Sequence, residues 1–417
     1  MAKINTKVTD SVNFFQGNNP ADLTAKFGSP LYVYNERILR ERCREMKNLV
    51  DYPKFVVNYS AKANSNLAFL EIVNEEGLHV DAMSPGEIYV ELKAGFKSED
   101  IFYISNNVSK EEMQFAIDRN IIMSVDSLSQ LEQYGQLNPG GKVAARFNSG
   151  VGAGHHEKVV TGGKKTKFAI NPEYIPEFKE ILKKYDLKLV GINQHIGSLF
   201  MEGDKYIEGV KAILEIVKQF DDIEFVDLGG GFGIPYEKLN DQPRLDIKDL
   251  GVKLSKVMKD FAAEYGKEIE FKIEPGRYIS AECCVLLGTV HATKQNNVHK
   301  FAGTDIGFNV LQRPVMYDSH HDIEVYNDAE KTELVTVVGN ICESGDILAK
   351  DRELPVISKG DTIGLLDAGA YGYAMASNYN NRLRPAEVLI RENGEVVLIR
   401  EADELEDLTR HMISLKK

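Results

Sequence analysis

From Phe55 onward the chain repeats one pattern. A short apolar run ends in polar residues, an amphipathic stretch follows, and another short apolar run begins. Apolar positions recurring every three to four residues predict helices, and short apolar runs between polar or glycine positions predict buried strands. The first run, Phe55-Val-Val57, leads to a lone lysine, Lys62. Helix 66–76 then precedes strand Leu78–Ala82, helix 85–94 precedes Ile101–Ile104, helix 109–118 precedes Ile121–Val125, and helix 127–136 precedes Lys142–Phe147. After a loop with glycines and histidines, helix 172–185 precedes Leu189–Gln194, helix 204–219 precedes Ile223–Leu228, and helix 246–265 precedes Ile269–Ile273. Counted from Phe55, the pattern predicts eight strands. Strands alternating with helices pair in parallel through right-handed crossovers. Eight units in about 220 residues predict a closed (β/α)8 barrel. An open, doubly wound sheet is the competing arrangement, but the count of eight and the unbroken rhythm give no reason for it.

On either side the pattern changes. Residues 1 to 30 read as polar and loop-like, ending in Gly28-Ser-Pro30; Leu31–Tyr34 reads as a short strand and 36–49 as a charged helix. Beyond Glu274 the rhythm stops. Short β-prone runs take over at Cys283–Leu287, Leu334–Val338, Thr362–Leu366, Glu387–Ile390 and Val396–Ile399, separated by turn residues such as Glu392-Asn-Gly394. They predict an all-β domain, with one short helix near Tyr373–Tyr379. The expected fold is thus α/β plus all-β: a (β/α)8 barrel over 36–276, and a β-barrel or β-sandwich domain built from 1–35 and 277–417.

Composition narrows the function. The 417 residues carry a net charge of −13 with no Lys/Arg-rich block, which argues against nucleic acid and anionic membranes as main partners. Met1–Lys7 has no apolar stretch, so no signal peptide is expected, and no apolar run reaches the roughly eighteen residues of a membrane span. Cys43, Cys283, Cys284 and Cys342 form no C-x-x-C pair, which disfavours a zinc ribbon or a disulfide framework and fits a reducing cytoplasm. His155-His156 and His320-His321 lack a carboxylate or cysteine partner pattern, so no metal site is expected.

In a (β/α)8 barrel the active site lies at the C-terminal ends of the strands. The unusual residues fall there. Lys62 follows the first strand, Asp81 ends the second, Arg146-Phe-Asn148 ends the fifth, His195-Ile-Gly-Ser198 follows the sixth, Gly229–Gly233 follows the seventh and Glu274-Pro-Gly-Arg277 follows the eighth. Taken singly each has a plain reading: Lys62 as a solvated loop cation, the glycines as a tight turn, His195 as a structural histidine. Together they match the needs of pyridoxal 5'-phosphate, which takes a Schiff-base lysine, an anion cradle and a carboxylate for its ring nitrogen.

Several motifs carry a resemblance. Tyr59–Asn64, His79–Glu87, His195–Ser198, Gly229–Gly231 and Glu274–Arg277 resemble those of the fold-type III, alanine-racemase-like pyridoxal-phosphate decarboxylases. Arg313-Pro-Val-Met-Tyr317, Cys342-Glu-Ser-Gly-Asp346 and Asp367-Ala-Gly-Ala-Tyr371 resemble the diaminopimelate-decarboxylating branch, as do Gly150–Glu157 and Asn378–Arg382. Asn148-Ser149 departs from the Asn-Pro of many members, in a loop. The resemblance spans roughly 30–400. It implies that Lys62 bonds the cofactor, His195 stacks on its ring and Glu274 pairs with its nitrogen. Asp81, Ser198, Gly230, Gly231, Gly276, Arg277 and Tyr371 would complete the cofactor site. Arg277, Arg313, Tyr317 and Tyr371 would hold the substrate, with Glu343 on its distal ammonium. Cys342 would be the acid that protonates the reacting carbon. It also implies a homodimer in which Cys342 and Glu343 enter the partner's site. The implied activity is decarboxylation of meso-2,6-diaminopimelate to L-lysine and CO2, the last step of lysine biosynthesis, in the cytoplasm.

Other readings stay open at this point. A related decarboxylase could act on D-ornithine, D-lysine or carboxynorspermidine, or a barrel protein could bind the cofactor without catalysis. Two arginines and a glutamate suit a zwitterionic distal head better than a plain ammonium, because guanidinium forks bind carboxylates bidentately. Having both Lys62 and Cys342 argues against a carrier, which needs no proton donor. Arg277 and Arg313 also read as structural ion-pair residues, and Cys342 as a small buried hydrophobe.

Overall fold

The computed structural model describes residues 7–152, 163 and 166–415. Residues 153–157 of the glycine- and histidine-containing loop, His155-His156 among them, lie outside the described residues. The chain divides into two compact units: one of Arg40–Ile234 and Arg244–Ile279, the other of Met1–Leu39, Pro235–Pro243 and Ser280–Lys417. The sequence reading divides the chain at 36 and 276 and keeps Pro235–Pro243 with the barrel, whereas here that segment groups with the second unit.

The first unit is a closed barrel of eight strands: Phe55–Ser60, His79–Ala82, Ile101–Ile104, Ile122–Val125, Lys142–Arg146, Lys188–Asn193, Phe225–Gly230 and Glu270–Glu274. All neighbours are parallel, and the ring closes where Phe55 and Val57 register with Phe271 and Ile273. Alternation along the first strand sorts its side chains. The Tyr59 ring packs on Phe69 of the following helix, 5.5 Å between centroids. Ser60 instead turns its hydroxyl toward Asp81.

The helices start where capping chemistry allows. Ser84 accepts from the Glu87 N–H at the head of Pro85–Lys93, and Ser109 with Glu112 forms a reciprocal capping box at Lys110–Ile117. These caps fix where each strand-to-helix loop ends, and so how much chain is left at the catalytic mouth.

Strand ends differ from the sequence reading at two places that matter. The seventh strand runs through Gly230 and the eighth through Glu274, with Gly230 in register with Glu274. A register irregularity between Asp227 and Gly230 lets the strand bend there and still pair.

The second unit is built on nine mixed strands. The twelve-residue strand Cys284–Gln295 pairs antiparallel with Leu31–Asn35 and Thr362–Leu365 near its start and with Lys300–Thr304 further on. Leu31–Asn35, wholly buried, also pairs in parallel with Ala386–Ile390. The loop-like reading of residues 1–30 is corrected: helices occupy Val8–Ser11 and Pro20–Phe27. Asn19 caps the second by accepting from the Ala21 and Asp22 N–H groups, with Pro20 at its first position. Near Tyr373–Tyr379 there are two 3-10 turns, Tyr373–Met375 and Tyr379–Asn381, rather than one helix. Strands Lys300–Thr304, Ile323–Val325 and Ile347–Pro355 were not foreseen. Among the described residues no helix is long and apolar enough to cross a membrane.

Gly251 tests the packing of the barrel's longest helix, Ile247–Tyr265. A Cβ there would lie 2.1 Å from the Leu49 carbonyl oxygen. In an open helix Gly→Ala gains about 1 kcal/mol. Here overpacking against backbone costs about 1–3 kcal/mol, so Gly251→Ala should lower the melting temperature. A raised melting temperature would show that the contact yields.

Candidate active site

Lys62 sits in a 3-10 turn, Ala61–Ala63, directly after the first barrel strand. Its Nζ lies 4.0 Å from Met83 Sδ. Asp81, fully buried at the end of the second strand, accepts from Ser60 Oγ at 2.9 Å, and the same hydroxyl is 3.2 Å from the Glu274 carbonyl oxygen. Ser60 thus ties the first, second and eighth strands together at the mouth.

Glu274 is 3% exposed, and its Oε2 lies 3.5 Å from His195 Nδ1. That nitrogen also accepts from the Gly230 N–H at 3.2 Å. The two roles exclude each other, since Gly230 needs a lone pair there and Glu274 a proton. Burial pushes the Glu274 carboxyl up, but the contact with His195 and the charges of Lys62 and Arg146 pull it down further, to below the ordinary range. Burial lowers His195 despite Glu274, so the imidazole stays neutral.

Other carboxyls nearby go the opposite way. Burial lifts Asp81 well above its usual range, although Lys62 opposes this. Burial lifts Asp227 likewise, with Glu274 adding to the effect. Glu91, on the helix after Asp81, is pushed up to about 10 by burial, then by Glu87 and Asp81. One carboxylate of the group therefore carries charge readily, and it is Glu274.

The glycine turn is shaped by backbone contacts. A Cβ on Gly229 would lie 2.3 Å from the Gln194 carbonyl oxygen, on Gly230 2.0 Å from that of Glu274, and on Gly231 2.4 Å from that of Gly197. Gly229 and Gly231 also have φ of +75° and +104°, where side chains are strained. Tyr206 Oη donates to the Gly229 carbonyl at 3.0 Å, and Asp227 Oδ1 accepts the Gly229 N–H at 2.9 Å. Phe200 N–H donates to the Gly231 carbonyl at 3.0 Å, which joins this turn to the loop of His195–Ser198. Ser198 Oγ accepts from Arg277 Nη2 at 3.0 Å. Gly276 closes on Ser60, where a Cβ would come within 2.9 Å of the serine Cβ.

Asp227, Tyr206 and Arg146 were given no role from sequence. Arg146 was noted only as a strand end, yet it lies over the Phe168 ring at 4.7 Å and acts on Glu274, Asp126 and Asp227. An acidic residue inside the apolar run Phe225-Val-Asp-Leu228 was the signal for Asp227.

The remaining predicted residues belong to the β unit. Arg313 and Tyr317 bracket one short helix, with Arg313 only 2% exposed. Cys342 and Glu343 lie exposed on a loop. Cys342 N–H donates to Asn380 Oδ1 at 2.7 Å, and Asp346 accepts from Ile341 and Phe308 N–H groups at 2.8 and 2.7 Å. The plain reading of Cys342 as a buried hydrophobe therefore fails. Tyr371 has φ of +56° and ends a turn that begins at Asp367. Asp367 meets Lys238 Nζ at 2.5 Å, with Glu282 3.2 Å from the same ammonium. Burial, with Glu282 adding to it, pushes Asp367 up to about 6 against the pull of Lys238.

A group that needs an amine, a charged carboxylate and an anion cradle fits the barrel mouth. Glu274 Oε1 and Asp81 Oδ1 are buried acceptors with no partner among the described residues, and side chains are excluded from the glycine turn. Pyridoxal phosphate has these requirements, so fold and mouth together define a pyridoxal-phosphate barrel enzyme.

Residues 36–281 match the family profile of the pyridoxal-dependent decarboxylases, pyridoxal binding domain. The diaminopimelate decarboxylase of Methanothermobacter thermautotrophicus is 42% identical over 405 residues, 94% of each chain. Two solved structures agree. The diaminopimelate decarboxylase of Helicobacter pylori complexed with L-lysine superposes with a TM-score of 0.87 at 31% identity, covering 94% of this chain and 98% of that one. That of Methanocaldococcus jannaschii gives 0.85 at 35%, covering 95% and 94%. The chain belongs to the pyridoxal-dependent decarboxylases, and within them to the diaminopimelate decarboxylase family.

Asp227 gives a test of the charge assignment. Its folded form keeps a proton that an unfolded Asp loses near pH 4. The native state then binds more protons than the unfolded one, so this group's contribution to stability declines as pH rises above about 4. Asp227→Asn preserves the acceptor for Gly229 and removes the titration. Its melting temperature relative to the parent should therefore climb between about pH 5 and about pH 8. A constant difference across that range would mean that Asp227 is ionised.

Proposed function

We propose that this protein decarboxylates meso-2,6-diaminopimelate to L-lysine and CO2, closing lysine biosynthesis in the cytoplasm. The observation that carries the reading is the convergence of Lys62, an ionised Glu274, His195 and the Gly229–Gly231 turn at one barrel mouth. The near full-length identity to relatives of that name supplies the substrate.

Bound pyridoxal phosphate supplies an electron-accepting ring conjugated to the substrate's α-carbon. Lys62 Nζ is the amine that would hold it covalently. Glu274, which stays charged although buried, would keep a proton on its ring nitrogen, and neutral His195 would lie against its face. N–H groups of Gly231 and Gly276 with the Ser198 hydroxyl would receive the phosphate, with Arg277 fixing Ser198. Burial raises Asp81 against the pull of Lys62.

In the β unit, Arg313 and Tyr317 would take the distal carboxylate and Glu343 the distal ammonium. A cationic site for the tail leaves the scissile carboxylate without a stabilising partner, which favours its departure. Cys342 Sγ–H delivers the proton that replaces CO2 on the α-carbon. Cys342 and Glu343 are exposed in the single chain, which supports a homodimer in which each reaches the partner's site. Decarboxylases for D-ornithine, D-lysine or carboxynorspermidine remain the second reading, and Arg313 is what disfavours a tail without a carboxylate.

Carbon dioxide release decides between them when measured with meso-diaminopimelate, the L,L isomer, lysine and ornithine. Only the meso compound should be turned over efficiently. Borohydride should bleach the cofactor band and leave the label on Lys62, and Lys62→Ala should reduce release to that of free cofactor. Preferred turnover of ornithine, or full release from Lys62→Ala, would overturn the assignment.

A further inference from the structure

The chain that leaves the glycine turn is anchored a few residues further on. Two residues after Gly233 it enters Pro235–Pro243, which groups with the β unit, before it rejoins the barrel at Arg244. Residues 232–236 are buried throughout, and the ring of Pro235 fixes its φ. Little slack therefore separates the turn from whatever holds the residues that follow.

Glu237, Lys238 and Leu239 are held one after another. Lys238 Nζ lies 2.5 Å from both carboxylate oxygens of Asp367 and 3.2 Å from Glu282. The Leu239 N–H donates to Asp322 Oδ2 at 3.0 Å, and Asp322 Oδ1 lies 2.9 Å from His320 Nε2. The sheet brings the two aspartates side by side: Ile323 registers with Leu365, and the Leu366 N–H donates to the Asp322 carbonyl at 2.9 Å. Glu237 acts electrostatically on Arg352. The segment also closes on itself, because Gln242 Oε1 accepts the Glu237 N–H at 3.0 Å and the Gln242 N–H donates to the Glu237 carbonyl at 3.1 Å. The Lys238 side chain is only 16% exposed, so salt and water screen its pairing little. Burial works against the ammonium, but Asp367 and Glu282 outweigh it and hold Lys238 above its ordinary range.

We propose that Lys238 is a positioning residue for the Gly229–Gly233 turn: its ion pairs anchor the chain just beyond the turn and so fix where the turn's backbone can receive the cofactor's phosphate. The proposal rests on the reading of this turn as the phosphate cradle. Tyr206, Asp227 and Phe200 hold the turn from within the barrel. Lys238 holds the chain that leaves it, without touching the cofactor.

The test compares two ligands. The full-length protein, freed of its cofactor, is titrated with pyridoxal 5'-phosphate and separately with pyridoxal, which makes the same bond to Lys62 but brings no phosphate. The visible cofactor band reports both. Lys238→Met removes the charge and keeps most of the apolar stem. It should weaken pyridoxal phosphate about tenfold and pyridoxal by no more than about threefold, and Lys238→Arg should restore pyridoxal phosphate to within about threefold of the parent. Arg384→Met, which breaks the Arg384–Asp403 pair elsewhere in the β unit, should leave both affinities as in the parent. Equal loss of both ligands in Lys238→Met, an arginine variant no better than the methionine one, or the same selective loss in Arg384→Met would overturn the proposal. Where Lys238→Met fails to fold, Asp367→Asn takes its place: selective weakening of pyridoxal phosphate by about threefold or more supports the proposal, and unchanged affinity overturns it. Gly231→Ala tells the proposal from the reading beneath it. If that variant weakens neither ligand, the cradle reading falls and the proposal with it; if it weakens pyridoxal phosphate alone and Lys238→Met does not, only the positioning role falls.

Discussion

Among the buried carboxyls at the mouth of this barrel, Glu274 is the one whose neighbours outweigh its burial. Burial alone would neutralise Glu274. Lys62, Arg146 and His195 reverse the sign, whereas Asp81 and Asp227 do not escape their burial. The outcome is a division of labour among chemically similar groups, set by which of them the cations serve best. Asp81 accepts from Ser60 and so braces two neighbouring strands, and Asp227 accepts the Gly229 N–H within its own strand and so fixes the glycine turn.

The same division explains why the glycines matter. Their value lies in letting three carbonyl oxygens, of Gln194, Glu274 and Gly197, approach the turn more closely than any side chain would permit. Backbone packed this tightly is held from both sides, by Tyr206 and Asp227, so the turn keeps its shape.

Much of this was legible in the sequence, because a period-two or period-3.6 pattern repeated eight times leaves few architectures, and the barrel then dictates where chemistry sits. Lys62, His195 and Glu274 could be placed from strand order alone. Strand ends were less accurate at Gly230 and Glu274, since a glycine pair reads as a turn while a bulge can keep it in the ladder. Residues 8–27 read as loop because the Asn19-Pro20 start signal heads a helix of only eight residues. Lys300–Thr304 and Ile347–Pro355 are too mixed in polarity to announce themselves, and become strands through their partners.

Leu31–Asn35 has a consequence for how the protein is made. This strand is synthesised early, yet its partners are Cys284–Leu287 and Ala386–Ile390, on the far side of the entire barrel segment. On the ribosome the barrel strands can close in sequence while this strand, buried at every position in the finished protein, waits with unpaired backbone edges. Pro235–Pro243 also belongs to the unit completed last. The nascent chain thus carries an adhesive strand through synthesis of the whole barrel segment, until Cys284–Leu287 and then Ala386–Ile390 emerge to cover its two edges.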